Sequence, residues 1–173
     1  MGGLAIYGGI IGGVATVLIY CKIKKINPLN ITDCIAPGLA IAQSIGRWGN
    51  YINIEAYGYE TNSFLKMQII EGGITKYVHP TFLYESICTF IIFIILTKLC
   101  QKRKFTGQIT YMYIICYSFI RFFIEGLRTD SLMLFNCRIS QILSLLLFIA
   151  FVVIMIYKET KHKQMSNNVE NCQ

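Results

Sequence analysis

The sequence predicts an all-α fold, a polytopic bundle of about five transmembrane helices. Three observations carry that expectation. The first is composition. Of 173 residues, 54% are hydrophobic and only 14% charged, with a mean hydropathy of +0.52; an ordinary soluble domain is about one quarter charged. A disordered chain is excluded, because there is abundant apolar surface to bury, and the balance argues against a water-soluble globule. The second is a series of apolar stretches near membrane length. The third is the placement of the basic residues. The formal charge is +7, from 16 Lys and Arg against 9 Asp and Glu. In a membrane protein the position of these charges matters more than their sum, and no nucleic-acid partner is expected.

A span needs about 20 apolar residues. Residues 2–20 carry no charge, and residues 139–157 also qualify outright. Residues 80–97 and 107–126 qualify despite internal charges. Residues 31–47 are shorter and hold Pro37, Gly38, Gln43, Ser44 and Arg47, so they read as a broken or interfacial helix. Lys22, Lys24 and Lys25 follow the first stretch, Lys98, Lys102, Arg103 and Lys104 the third, and Lys158, Lys161 and Lys163 the fifth. Basic residues thus mark alternate connections, as the positive-inside rule requires. The alternation holds only if residues 31–47 also cross. Residues 48–79 and 127–138 are then external, and the C-terminus is cytoplasmic. The expected organisation is a transmembrane bundle over 1–157, with an external loop at 48–79, and a polar cytoplasmic tail over 158–173. Residues 59–79, with Gly72 and Gly73, read as a loop. The chain opens directly on a Gly-rich apolar helix, with no basic leader or cleavage site, and an upstream part is expected to be missing.

Seven cysteines (Cys21, Cys34, Cys88, Cys100, Cys116, Cys137 and Cys172) show no CxxC spacing. They read as small apolar residues in helices, not as a disulfide framework or metal site.

Ionisable residues inside membrane segments are costly and usually face the bundle interior. Four clusters stand out. GRWGNYINIEAYG, residues 46–58, puts Arg47, Asn50, Asn53 and Glu55 among Gly46, Gly49 and Gly58. Arginine offers a planar fork of donors suited to phosphate, and glycines permit close approach by a ligand; the bland alternative is an arginine snorkelling to headgroups. In CYSFIRFFIEGLRTD, residues 116–130, Tyr117, Arg121 and Glu125 share one helical face, to which Arg128 returns. Arg121 and Glu125 are spaced for an intrahelical ion pair, either structural or part of a second anion anchor. HPTFLYES, residues 79–86, places His79 at the surface end of the third span, Pro80 at a helix start, and Tyr84 and Glu85 about one turn in. His79 reads equally as a cap-region residue or as part of the chemistry. GGLAIYGGIIGG, residues 2–13, holds overlapping GxxxG spacings, Gly8 with Gly12 and Gly9 with Gly13, that allow close helix packing. Tyr7 is its one polar side chain, directed at a central cavity or simply packed.

These four blocks, in this order, resemble the bacterial prolipoprotein diacylglyceryl transferases, from residue 2 to about 157. The resemblance implies an enzyme of the bacterial plasma membrane with seven spans, of which five are found here. It implies transfer of the diacylglyceryl group of phosphatidylglycerol to the lipobox cysteine of a preprolipoprotein signal peptide, with a thioether formed and glycerol phosphate released, and no metal or organic cofactor. Arg47 and Arg121 match the two essential arginines, with Asn50, Asn53, Glu55, Gly58, Tyr117 and Glu125 around them. Where many members carry a histidine, this sequence has Tyr7, whose ordinary pKa of about 10 suits it poorly as a base. The base is then Glu55, Glu125 or His79, or the potential of the arginines ionises the thiol.

Two other classes make different demands. A transporter predicts a repeated half or paired broken helices, and no repeat is found. A non-catalytic remnant of a split gene does not require Arg47 and Arg121 to meet. The transferase reading does require it, in a cavity open to the outer leaflet.

Overall fold

A computed structural model describes residues 3–129, 133–134 and 137–170, with a few side chains, Tyr7 among them, outside the description. The chain is mostly helical. In order it forms α1 (Gly3–Lys24), α2 (Pro28–Ile52), β1 (Met67–Glu71), β2 (Ile74–Val78), α3 (Thr81–Cys100), α4 (Gln108–Leu127), β3 (Met133–Leu134), β4 (Cys137–Arg138) and α5 (Ile139–Glu170). Each apolar stretch of the sequence falls on one helix, with starts that differ by a residue at α3 and α4. Among the described residues, α3 and residues 139–168 of α5 are long and apolar enough to cross a membrane.

The expectation of a broken second helix is corrected: α2 is continuous for 25 residues and Pro37 lies inside it. Proline costs that helix one backbone hydrogen bond, and packing against α3 and α4 along the same stretch holds it together. Its start is well specified. Asn27 accepts the Leu29 N–H at 3.0 Å, and Pro28 occupies the first turn, where no N–H is needed. Asp33, Ala36, Ala40 and Ser44 are buried at spacings of three, four and four, the period of one helical face. Ala36 and Ala40 let α2 approach Ile92, Leu96 and Ile109 closely to form the bundle core. Ser44 and Ser86 then exchange hydroxyl-to-carbonyl hydrogen bonds across α2 and α3, at 2.8 and 2.9 Å. Arg47 continues the buried face of α2 by three more residues.

Three further expectations are adjusted. Residues 67–78 are not loop but an antiparallel hairpin turning at Gly72 and Gly73, with Met67 opposite Val78. Pro80 is the N-cap of α3, so the helix begins one residue later, at Thr81. The tail beyond residue 157 continues α5 as helix to Glu170, exposed along most of residues 158–168. The close packing expected at Gly8, Gly9, Gly12 and Gly13 is not made among the described residues: no atom lies within 4 Å of where a side chain would start. Gly9 and Gly13 instead border an apolar groove of about 500 Å³ between α1 and α2.

Candidate active site

Three helices bring their charged residues to one point near the α2–β1 and α4–β3 connections. Glu85, one turn into α3, is 2% exposed. Its Oε1 lies 2.5 Å from Arg47 Nη2 of α2, and its Oε2 lies 3.5 Å from Arg121 Nη1 of α4. The Tyr117 hydroxyl donates to Glu85 Oε1 at 3.3 Å and accepts from Arg47 Nη2 at 3.5 Å. Arg121 Nη2 lies 2.7 Å from Glu125 Oε2, the expected intrahelical ion pair. That buried oxygen has no aligned hydrogen-bond donor among the described residues, so the pair is held by charge and not by a directed bond. Tyr113 stacks on Tyr117 at 6.0 Å and donates to Gln43 at 2.9 Å, which backs the cluster with a second polar layer.

The helical period explains the convergence. Arg47 lies three residues beyond buried Ser44 on α2, Glu85 adjoins Ser86 on α3, and Tyr117, Arg121 and Glu125 run down one face of α4. The Ser44–Ser86 contact sets the distance at which Arg47 meets Glu85. The guanidinium side chains are 22% and 20% exposed, against 3% for Glu85. The carboxylate is sunk, and the two cations keep about a fifth of their side-chain surface exposed.

The remaining predicted residues lie around this cluster. Asn50 is half-buried one turn past Arg47, and Asn53 is the C-cap of α2, its N–H bonded to the Gly49 carbonyl at 2.9 Å. Glu55 is exposed in the following loop, outside the hydrogen-bonded cluster, between Ile54 and Ala56, which both have positive φ. Gly58 is buried, and the close approach expected there is made by the chain itself: an added Cβ would sit 2.7 Å from His79 Cβ and 2.9 Å from the Leu127 carbonyl oxygen. The Gly58 N–H donates to His79, the Tyr59 N–H to Leu127 and the His79 N–H to Tyr59, at 3.0 to 3.1 Å. Residues 58–60 therefore tie the hairpin to the end of α4. His79 belongs to this tie, its Nδ1 3.3 Å from the Tyr84 hydroxyl. Arg128 is the C-cap of α4, with ψ of 147°, and its extended backbone bridges to Gly58. Tyr7 lies in α1, and its side chain is outside the described residues.

Glu85 is the residue that sequence reasoning left out of the site. The signal was available: an acidic residue in an otherwise apolar span needs a partner. Arg138 was also missed. It donates to the Glu125 carbonyl and, at 2.7 Å, to the Tyr59 hydroxyl, linking β4 to the same corner.

With this geometry in hand, comparison with known proteins is decisive. The prolipoprotein diacylglyceryl transferase profile matches residues 1–157. The chain belongs to that family. It is 51% identical over 160 residues to a phosphatidylglycerol–prolipoprotein diacylglyceryl transferase of Finegoldia magna, covering 91% of this chain and 63% of that protein. It is 50% identical over 168 residues to the protein so named in Clostridioides difficile, covering 97% and 65%. A Listeria welshimeri protein of the same name is 45% identical over 170 residues, covering 92% and 61%. The chain thus spans a little under two thirds of the length of these relatives.

Proposed function

We propose that this chain carries the reacting part of a phosphatidylglycerol–prolipoprotein diacylglyceryl transferase. It moves the diacylglyceryl group of phosphatidylglycerol to the lipobox cysteine thiol of preprolipoproteins, the first step of bacterial lipoprotein maturation. The observation that carries the reading is the meeting of Arg47 and Arg121, from two helices, at one buried carboxylate. The names of the relatives support the two substrates.

In this reading the lipid phosphodiester seats on the two guanidinium forks. The substrate sulfur attacks the glyceryl carbon bearing the phosphate ester. A carbon–sulfur bond forms, the carbon–oxygen bond breaks, and its electron pair passes to the phosphate oxygen, so glycerol phosphate leaves. Negative charge grows on the leaving phosphate, where two fixed cations stabilise it most. The thiol reacts as thiolate. Its proton passes to a nearby acceptor, for which Glu55, Glu125 and His79 are the candidates, and the potential of the two arginines favours its loss. Asn50 and Asn53 hydrogen-bond the headgroup, Tyr117 keeps Arg47 in register, and Gly58 and His79 shape the external floor where the peptide approaches.

The same reading makes residues 1–157 a bundle of five spans, of the seven expected for the family, in the bacterial plasma membrane. The Lys- and Arg-rich ends are cytoplasmic, as is the tail from residue 158. Residues 48–79 and 127–138 are external, and the arginine cluster opens towards outer-leaflet lipid.

The test is an in vitro assay with phosphatidylglycerol vesicles and a lipobox peptide. It compares this chain, a version extended upstream with the corresponding region of a relative, and Arg47→Ala of each. Thioether product is expected from an intact form and not from Arg47→Ala. No product from either intact form defeats the reading, and equal product from Arg47→Ala defeats the role of that residue.

A further inference from the structure

The charges at the site balance. Arg47 and Arg121 contribute two positive charges, and Glu85 and Glu125, both 2% exposed, contribute two negative ones. This is more counter-charge than positioning two arginines requires. Tyr117 already bonds Arg47, and Glu125 already pairs with Arg121, yet Glu85 is placed between both cations at a cost in desolvation. In the transferase reading, on which this inference rests, the lipid phosphodiester carries one negative charge and the released phosphate monoester approaches two. Two half-buried arginines alone would bind the product more tightly than the substrate, and the site would fill with product.

We propose that Glu85 sets the specificity of the site for a phosphate monoanion over a dianion, and so ejects glycerol phosphate once the carbon–oxygen bond has broken. Glu85 acts through Arg47 and Arg121: it lowers their combined pull, and it reoccupies both forks as the product leaves. Glu125, whose ion pair among the described residues is with Arg121, contributes in the same sense and more weakly.

The experiment measures equilibrium binding of two probes, glycerol phosphate and short-chain phosphatidylglycerol, to the full-length chain in detergent. Wild type, Glu85→Gln and Glu125→Gln are compared. Glu85→Gln keeps the shape of the side chain and removes its charge. Its affinity for glycerol phosphate relative to phosphatidylglycerol is expected to rise about tenfold or more, in line with close charge pairs in desolvated sites, with a smaller rise in Glu125→Gln. Product inhibition of thioether formation should strengthen in step. A residue that merely held the arginines in place would lower both affinities together. An unchanged ratio, or no binding of either probe to wild type, overturns the proposal. Failure of wild type to form thioether, with the ratio still shifted, defeats the transferase reading and leaves the charge selection standing.

Discussion

Asp33 and Glu85 are both buried carboxylates, each 2% exposed, at opposite ends of the α2–α3–α4 core. Their surroundings differ in kind. Asp33 Oδ2 accepts the Gly107 N–H at 2.7 Å, and Oδ1 accepts the Thr110 N–H and hydroxyl at 2.9 and 2.7 Å. It caps the start of α4 from another helix, and Gly107, with φ of 94°, supplies the backbone shape that lets its N–H reach in. Arg103 adds a longer contact at 3.3 Å. Glu85 has side-chain partners instead: two guanidinium groups and a phenol, at distances from 2.5 to 3.5 Å. Main-chain donors cannot leave without unwinding a helix, so Asp33 is a staple. Guanidinium groups a fifth exposed are not tied to the backbone, and in the proposed transferase reading they exchange Glu85 for the lipid phosphate and back.

Substitutions at the two ends should therefore separate activity from stability. The largest effect is expected at the exchangeable end. Arg47→Ala or Arg121→Ala should lower thioether formation per folded molecule by about 10²- to 10³-fold, as for loss of one preorganised donor at a developing anion, well beyond the loss of thermal stability that comes from leaving Glu85 one partner short. Lysine at either position should restore only part, since it lacks the fork; full recovery with lysine would argue for simple charge. At the other end, Asp33→Ala should destabilise by about 2–3 kcal/mol, because the α4 cap is lost and buried N–H groups go unpaired. Its product per folded molecule should stay near wild type, and a loss matching Arg47→Ala would erase the contrast between the ends. Gly58→Ala forces atoms apart at His79 and Leu127 and should cost about 1–3 kcal/mol. The loss should appear first as faster hydrogen exchange in residues 58–60 and 78–79. The smallest effect is expected at Ser44→Ala, which breaks one arm of the α2–α3 exchange and should cost about 0.6 kcal/mol, the average for such membrane contacts. A drop in activity larger than this stability loss would show that the contact tunes the Arg47–Glu85 distance.

The helices were legible because hydropathy over 20 residues is a local signal, and the five stretches read from sequence fall on the five helices. The two arginines were legible because charge in an apolar segment demands an explanation. Pro37 misled, since its local cost is real and packing on two sides outweighs it. Glu85 stood in view in HPTFLYES but carried no sign of its partners, which lie 38 residues upstream at Arg47 and 36 downstream at Arg121. Gly58 looked like room for a ligand, and only the fold reveals that His79 and Leu127 fill that room.

By itself the sequence determined the helical class, the helix positions, the intrahelical Arg121–Glu125 pair and the family, because each depends on composition, short spacings or ordered motifs. Only the tertiary structure decided that Asp33 is a cap and Glu85 a hub, that the Arg128 backbone bridges to Gly58, and that Arg138 joins the corner. Those outcomes depend on which helix faces come together, and α2, α3 and α4 settle that through Ala36, Ala40, Ser44 and Ser86, whose small size lets the backbones approach closely.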